Sequence, residues 1–238
     1  MDLIRLNKAI AQTGYCSRRE ADKLIEQGKV KINGKAVVLG DKVTKDDVIS
    51  VDGKVVTKEQ KSIYLIFNKP RGITCTTDTR IKGNIISYIN YPKRIFPIGR
   101  LDKPSEGIIF LTNDGDIVNK ILRARNNHEK EYIVSVNKKI TKDFLRKMSS
   151  GIPILDTITR NCYVEKIHDK TFKIILTQGL NRQIRRMCEY LNYNVTRLRR
   201  IRIINIEVGN LKAGEYRNFT KEELNELKYL VSDSRKTV

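Results

Sequence analysis

Apolar residues recur at helical spacing in two short opening segments, 4–13 and 17–27. Leu6, Ala9, Ile10 and Thr13 share one face, and Ala21, Leu24 and Ile25 share another. The pattern predicts two amphipathic helices. Ser17 is a good N-cap for the second, Glu20 completes a capping box with it, and Gly28 ends it. The period then drops to two: Val30-Lys31-Ile32 and Ala36-Val37-Val38 flank Asn33-Gly34, a strong two-residue hairpin signal. A polar stretch, Thr57 to Lys61, reads as a linker and divides the chain into a module at 1–60 and a body at 61–238. In the body, strands are expected at 64–67, 107–112, 131–136, 162–167, 172–177 and 202–208. Helices are expected at 83–90, 115–124, 141–149, 180–192 and 220–230, the last opened by Thr220 with Glu222 and Glu223 behind it. Strands and helices intermingle without a regular βαβ beat, and no Gly-rich nucleotide fingerprint follows a strand. The expected class is therefore α+β with a mixed, mainly antiparallel sheet.

Charge sharpens this picture. The 238 residues carry 47 Lys and Arg against 27 Asp and Glu, a formal charge of +20. The module holds 12 basic and 9 acidic residues, so most of the excess lies in the body. A polyanionic partner is the natural inference, since each phosphate contact releases condensed counterions. Nucleic acid fits better than a membrane: no apolar run approaches the ~20 residues a bilayer requires, and Met-Asp-Leu-Ile-Arg is no signal peptide. Cys16, Cys75, Cys162 and Cys188 are widely spaced, and His128 and His168 are the only histidines, so neither a zinc site nor a Cys/His nucleophile is expected. Reduced thiols suit a cytoplasmic protein. Chemistry without metal or cofactor then falls to carboxylates, Tyr, Lys and Arg.

Four segments stand out as candidates. Asn68-Lys69-Pro70-Arg71-Gly72 follows an apolar strand and predicts a sharp turn carrying two cations. Gly99-Arg100-Leu101-Asp102, then Lys103-Pro104-Ser105-Glu106-Gly107, puts one acid on a punctuated loop leading into the apolar run Ile108–Leu111. On local sequence alone, Asp102 reads as a structural residue that caps a turn or pairs with Arg100. His128-Glu129-Lys130-Glu131-Tyr132 brings a tyrosine into a strand. Gln178 to Met187 turns from a strand end into a helix, in which Ile184, Met187, Cys188 and Leu191 make the core stripe and Arg182, Arg185, Arg186 and Glu189 lie on the other faces. Seven arginines against one acid across 182–202 suit phosphates and planar bases.

The module, with its Ser-Arg-Arg-Glu-Ala and Gly-Lys-Val-x-Ile-Asn-Gly-Lys runs, resembles the S4 RNA-binding domain. Nearly the whole chain, the module included, resembles the RsuA-type pseudouridine synthases. Tyr64 to Gly72 resembles that family's opening motif, Pro97-Ile98-Gly99-Arg100-Leu101-Asp102 its catalytic motif, and Asn181 to Met187 its closing one. Asn127 to Tyr132 and Leu180-Asn181 look closest to the RluF-like branch, which acts on large-subunit ribosomal RNA.

The resemblance implies a pseudouridine synthase fold and the isomerisation of a specific uridine, in which the N1–C1′ bond breaks and a C5–C1′ bond forms. Asp102 is then the catalytic carboxylate, attacking C1′ or C6 or removing the C2′ proton, and the sequence does not choose among these routes. Arg185 would pair with it and Tyr132 would stack on the uracil. Arg100 would fill the space left by an everted base or hold the adjacent phosphate. Lys69, Arg71, Arg199 and Arg200 would contact the RNA backbone, with Arg182 and Arg186 beside them, while Arg18, Arg19 and Lys23 of the module face RNA. The expected partner is large-subunit ribosomal RNA, with tRNA or small-subunit RNA as alternatives, and the lack of long heptads points to a monomer. Two rivals share the charge pattern: a non-catalytic S4-type assembly protein, and an RNA N-glycosidase, which would want a second acid.

Overall fold

The computed structural model describes residues 3–57, 61–123 and 126–232. Lys58, Glu59 and Gln60 of the expected linker lie outside the described residues. The chain divides into two compact units, a smaller one built mainly on residues 1–62 and a larger one built on the rest.

The smaller unit runs β1 (Ile4–Arg5), α1 (Leu6–Gln12), α2 (Arg18–Glu26), β2 (Val30–Ile32), β3 (Lys35–Ala36), β4 (Lys42–Val43), β5 (Ile49–Val51) and β6 (Lys54–Val55). The expected capping box forms: Ser17 Oγ accepts from the Glu20 N–H, and the Glu20 carboxylate accepts from the Ser17 N–H. Asn33 and Gly34 both adopt positive φ, 50° and 80°, which fits the tight β2–β3 turn. Two expectations need correction. The first helix starts at Leu6, because Ile4 and Arg5 pair with Val43 and Lys42 as a strand. The second hairpin arm stops at Ala36, because the Asp41 carboxylate captures the Val38 N–H at 2.9 Å and draws the chain into a turn. Leu6, Ile10, Ala21, Ile25, Val30, Val43 and Val51 close the core of this unit.

The larger unit is built on one mixed sheet. Its strands are β7 (Tyr64–Lys69), β8 (Phe96–Ile98), β9 (Glu106–Thr112), β10 (Lys130–Val136), β13 (Tyr163–His168), β14 (Thr171–Leu176), β15 (Val195–Ile203), β16 (Ile206–Glu207) and β17 (Tyr216–Asn218), and a separate hairpin pairs β11 (Pro153–Ile154) with β12 (Thr157–Ile158). The central order is β13-β14-β10-β15-β9-β7-β17, antiparallel throughout except where β15 runs beside β9. Helices α3 (Ile85–Ile89), α5 (Lys142–Ser149) and α6 (Gln183–Tyr190) pack Ile85, Phe144, Met148, Ile184 and Met187 against one face, on Phe67, Val134, Phe172 and Ile174. Helices α4 (Gly115–Leu122) and α7 (Lys221–Leu230) cover the other face with Ile117, Ile121 and Leu227, on Ile66, Phe110 and Ile203. Strands β7 and β9 are buried on both sides, which explains their unbroken apolar runs. Among the described residues, no helix is long and apolar enough to cross a membrane.

The strand expected at 202–208 is misplaced. The long strand β15 begins at Val195, and Ile204, at φ 56°, turns the chain back into the short β16. The arginine run hid it, because those charges are taken up within the sheet: Arg197 pairs with Glu106, and Arg202 with both Glu129 and Glu131.

Candidate active site

The catalytic-motif loop is held from several sides. Gly99 sits at φ +78°, and a Cβ there would come within 2.9 Å of the Leu122 side chain. The Leu101 N–H points at the Cys75 sulfur at 3.4 Å, and the Ser105 N–H closes a turn onto the Asp102 carbonyl at 2.9 Å. The Lys69 ammonium, fully buried, donates to the carbonyls of Ser105 (2.7 Å) and Pro70 (2.9 Å) and so ties the end of β7 to this loop. Gly72 completes the clasp, its N–H donating to the Lys103 carbonyl at 2.7 Å.

Opposite the loop, α6 presents Arg185 inward, although its spacing suggested an outward face. The guanidinium donates to Ser105 Oγ at 3.0 Å and reaches the Val195 carbonyl at 3.4 Å, and its Nε stands 3.8 Å from Asp102 Oδ2. Burial pushes Arg185 below its ordinary pKa, and the Asp102 carboxylate pulls it back up. Arg185 is nearly buried while Asp102 keeps about a third of its side chain exposed. The arrangement is an anchored cation holding a reachable carboxylate.

Tyr132 enters from β10. That strand alternates strictly between buried and half-buried positions, so Lys130, Tyr132, Val134 and Val136 all point to the α6 side of the sheet. Asp102, Tyr132 and Arg185 line one cleft of about 520 Å³, with Arg100, Arg182 and Arg200 also in its wall. Arg100 and Arg182 are exposed, and Arg182 takes a left-handed conformation (φ 51°) just before α6. Arg71 is exposed on its turn, while Arg186 is held by the carbonyl and side chain of Asn181. Arg18, Arg19 and Lys23 are exposed on α2 of the smaller unit.

Two expected backbone contacts are corrected here. Lys69 is fully buried and Arg200 is 4% exposed, its Nε donating to the Ile108 carbonyl at 2.8 Å, so neither offers its charge to a surface phosphate. The turn at 68–72 therefore shows solvent one cation, Arg71. Arg199 does not line the cleft, which takes Leu198 and Arg200 from the same strand. Sequence reading also passed over Lys130. Its ammonium is buried in the cleft wall and donates to the His128 carbonyl at 3.0 Å. Its one visible signal was its place two residues before Tyr132 in an alternating strand. Among the described residues, no group of three or more His, Cys, Asp or Glu is placed to hold a metal ion.

Comparison with known proteins agrees with this geometry. A family model described as RNA pseudouridylate synthase matches residues 63–190, and one described as the S4 domain matches 4–49. The chain is 54% identical over 232 residues to the dual-specificity RNA pseudouridine synthase RluF of Salmonella typhi, covering 97% of this chain and 80% of that protein. It is 52% identical over 237 residues to the Escherichia coli K12 protein of the same name, covering 99% of this chain and 82% of that one. It is 35% identical to the ribosomal large subunit pseudouridine synthase B of Bacillus subtilis, covering 97% and 98%. A solved pseudouridylate synthase structure superposes with a TM-score of 0.70 at 29% identity, over 94% of this chain and 99% of that one. With a mixed, mainly antiparallel catalytic sheet, an S4 domain at the N-terminus and relatives this similar over nearly its whole length, the chain belongs to the RNA pseudouridylate synthase family and is an RNA-modifying isomerase.

Proposed function

We propose that this enzyme converts a specific uridine of large-subunit ribosomal RNA to pseudouridine through the Asp102 carboxylate, with tRNA as a second substrate class. The observation that carries the reading is the 3.8 Å pairing of a reachable Asp102 with an Arg185 anchored on Ser105. The pairing aims the acid into the cleft, where a nucleophile or base must sit. A uridine within folded RNA cannot reach such a group, so the base is everted, at about a few kcal/mol. Tyr132 then stacks on the uracil while Arg100 and Arg182, exposed at the mouth, hold the flanking backbone. The carboxylate does its work by attack at C1′, attack at C6 or removal of the C2′ proton. In each case the N1–C1′ electron pair passes to the uracil ring. Residues 1–60 form an RNA-selecting domain, 61–238 the catalytic domain, and the enzyme acts as a cytoplasmic monomer. The name of the Bacillus subtilis relative, a ribosomal large subunit pseudouridine synthase, supports ribosomal RNA as a substrate class, and the dual specificity in the name of the Salmonella typhi relative supports a second one.

Incubation with unmodified transcripts of large-subunit RNA, small-subunit RNA and tRNA, followed by nucleoside analysis, tests the reading. Pseudouridine at one site in large-subunit RNA is the expected result. Free uracil would indicate a glycosidase, and unchanged uridine in all three would indicate a binding protein; either overturns it.

The N-terminal domain makes a separate prediction. Replacing Arg18, Arg19 and Lys23 together by Gln should weaken binding to large-subunit RNA about tenfold or more and flatten the salt dependence by up to about three counterions. Filter binding across a salt series measures both, and an unchanged affinity and slope would remove these residues from the RNA interface.

A further inference from the structure

We propose that Lys130 and Arg200 form a cationic seat beneath Tyr132 that takes up the negative charge acquired by the uracil ring when its bond to the ribose breaks. The inference deepens the reading of the Asp102 site and rests on it.

The seat follows from strand parity. Lys130 and Tyr132 are two residues apart on β10 and face the same side, and Tyr132 lies directly across from Arg200 on β15. The Arg200 guanidinium stands 6.0 Å from the centre of the Tyr132 ring. Both cations line the cleft, and both are more than nine-tenths buried. Their donors exceed the acceptors around them. Arg200 Nη2 is buried without a hydrogen-bond partner among the described residues, and Arg185 Nε, across the cleft, is in the same condition. Lys130 has three N–H donors and gives one to the His128 carbonyl. The carboxylates closest in sequence are already engaged, Glu131 and Glu129 by Arg202 and Glu106 by Arg197. Buried donors without acceptors are costly, and they persist where a ligand completes them.

A departing uracil is such a ligand. When N1–C1′ breaks, its electron pair stays on the ring and is spread over N1 and the two carbonyl oxygens. The ring then turns, C5 bonds to C1′, the C5 proton leaves and N1 gains one, so substrate and product are isomers. Between those events the ring is an anion with acceptors on several edges. A pair of fixed buried cations under the stacking tyrosine stabilises that state more than it stabilises the neutral uridine, which is the condition for accelerating the step.

Burial, reinforced by Arg200, brings the Lys130 ammonium down to about 8. Arg200 from β15 is the charged group that acts on it; His128 precedes it by two residues, Tyr132, Asp102 and Arg185 line the same cleft, and its cross-strand partners Leu176 on β14 and Ile203 on β15 are apolar. The seat works with Lys130 protonated, so the rate is lost as pH rises through that value.

Single-turnover conversion at saturating enzyme, measured across pH 6–10 on whichever unmodified transcript the wild type converts, tests the seat. Lys130→Met is expected to slow the chemical step about 100-fold, leave RNA affinity within about threefold and abolish the alkaline decline. Lys130→Arg is expected to keep more than about a tenth of the rate and move the decline beyond the measured range, because a guanidinium stays charged. Arg200→Lys should slow chemistry about tenfold with the decline retained. A Lys130→Met protein with the wild-type rate and pH profile at saturating enzyme, so that any defect lies in RNA affinity alone, would overturn the proposal. If Lys130→Met does not fold, the Lys130→Arg profile decides alone, and an unmoved decline overturns it. Asp102→Asn run alongside separates the two readings, because an active Asp102→Asn removes the carboxylate reading and an unaltered Lys130 series removes the seat.

Discussion

Asp102→Asn is expected to lower single-turnover conversion on the order of 10⁴-fold or more while RNA affinity stays within about threefold. The two halves of this expectation have separate causes. Asparagine keeps the shape of the side chain but cannot act as nucleophile or base at neutral pH. The cleft meanwhile loses one negative charge from a wall that otherwise carries Arg100, Lys130, Arg182, Arg185 and Arg200, and that change does not weaken the hold on a polyanion. Arg185 keeps its bonds to Ser105 and Val195 in the variant, so its guanidinium stays in position. A rate defect at unchanged affinity therefore reports on the carboxylate itself. Rapid-quench nucleoside analysis with a binding titration measures both quantities, and a variant that retains a tenth of the wild-type rate would remove Asp102 from the chemistry.

Gly107→Ala should have the largest effect on stability. Gly107 is the second residue of β9, at φ +110°, and a Cβ there would lie 2.1 Å from the Arg200 carbonyl oxygen and 2.7 Å from its nitrogen. Those are backbone atoms of the neighbouring parallel strand, where Arg200 pairs with Gly107, so no rotamer change relieves the clash. The strand must move, and with it Arg200 and the loop carrying Asp102. Positive φ adds its own cost for a residue with a side chain. We expect a loss of about 4 kcal/mol or more, which for a chain of this length lowers the melting temperature by roughly 10 °C. Calorimetry on wild type and variant decides, and a midpoint within about 2 °C would show that the strands do not approach so closely.

Much of the fold was legible because its signals are local. The capping box of Ser17 and Glu20, the Asn33-Gly34 turn and the alternating strand at Tyr132 each follow from chemistry within a few residues. The grouping of Asp102, Tyr132 and Arg185 came instead from the resemblance of their motifs to a known family, and the fold places all three in one cleft wall. What stayed hidden depends on long-range pairing. Lys69, Lys130 and Arg200 look like surface cations, because lysine and arginine are seldom fully buried, and only the sheet turns them inward. The start of β15 was masked for a related reason: Arg197 and Arg202 read as a solvated run, although Glu106, Glu129 and Glu131 come from other strands to neutralise them. The inward aim of Arg185 was likewise unreadable from helix spacing, since it depends on Ser105, eighty residues away.

Joining C5 to C1′ expels the hydrogen that C5 carries, so RNA labelled with tritium at C5 of uridine reports the isomerisation as tritium released to water. At equal RNA occupancy, wild-type protein should release one tritium per uridine converted, and Asp102→Asn should stay at the protein-free background. Comparable release from both proteins, or loss of uridine without release from the wild type, would mean that the Asp102 carboxylate does not rebuild the glycosyl bond.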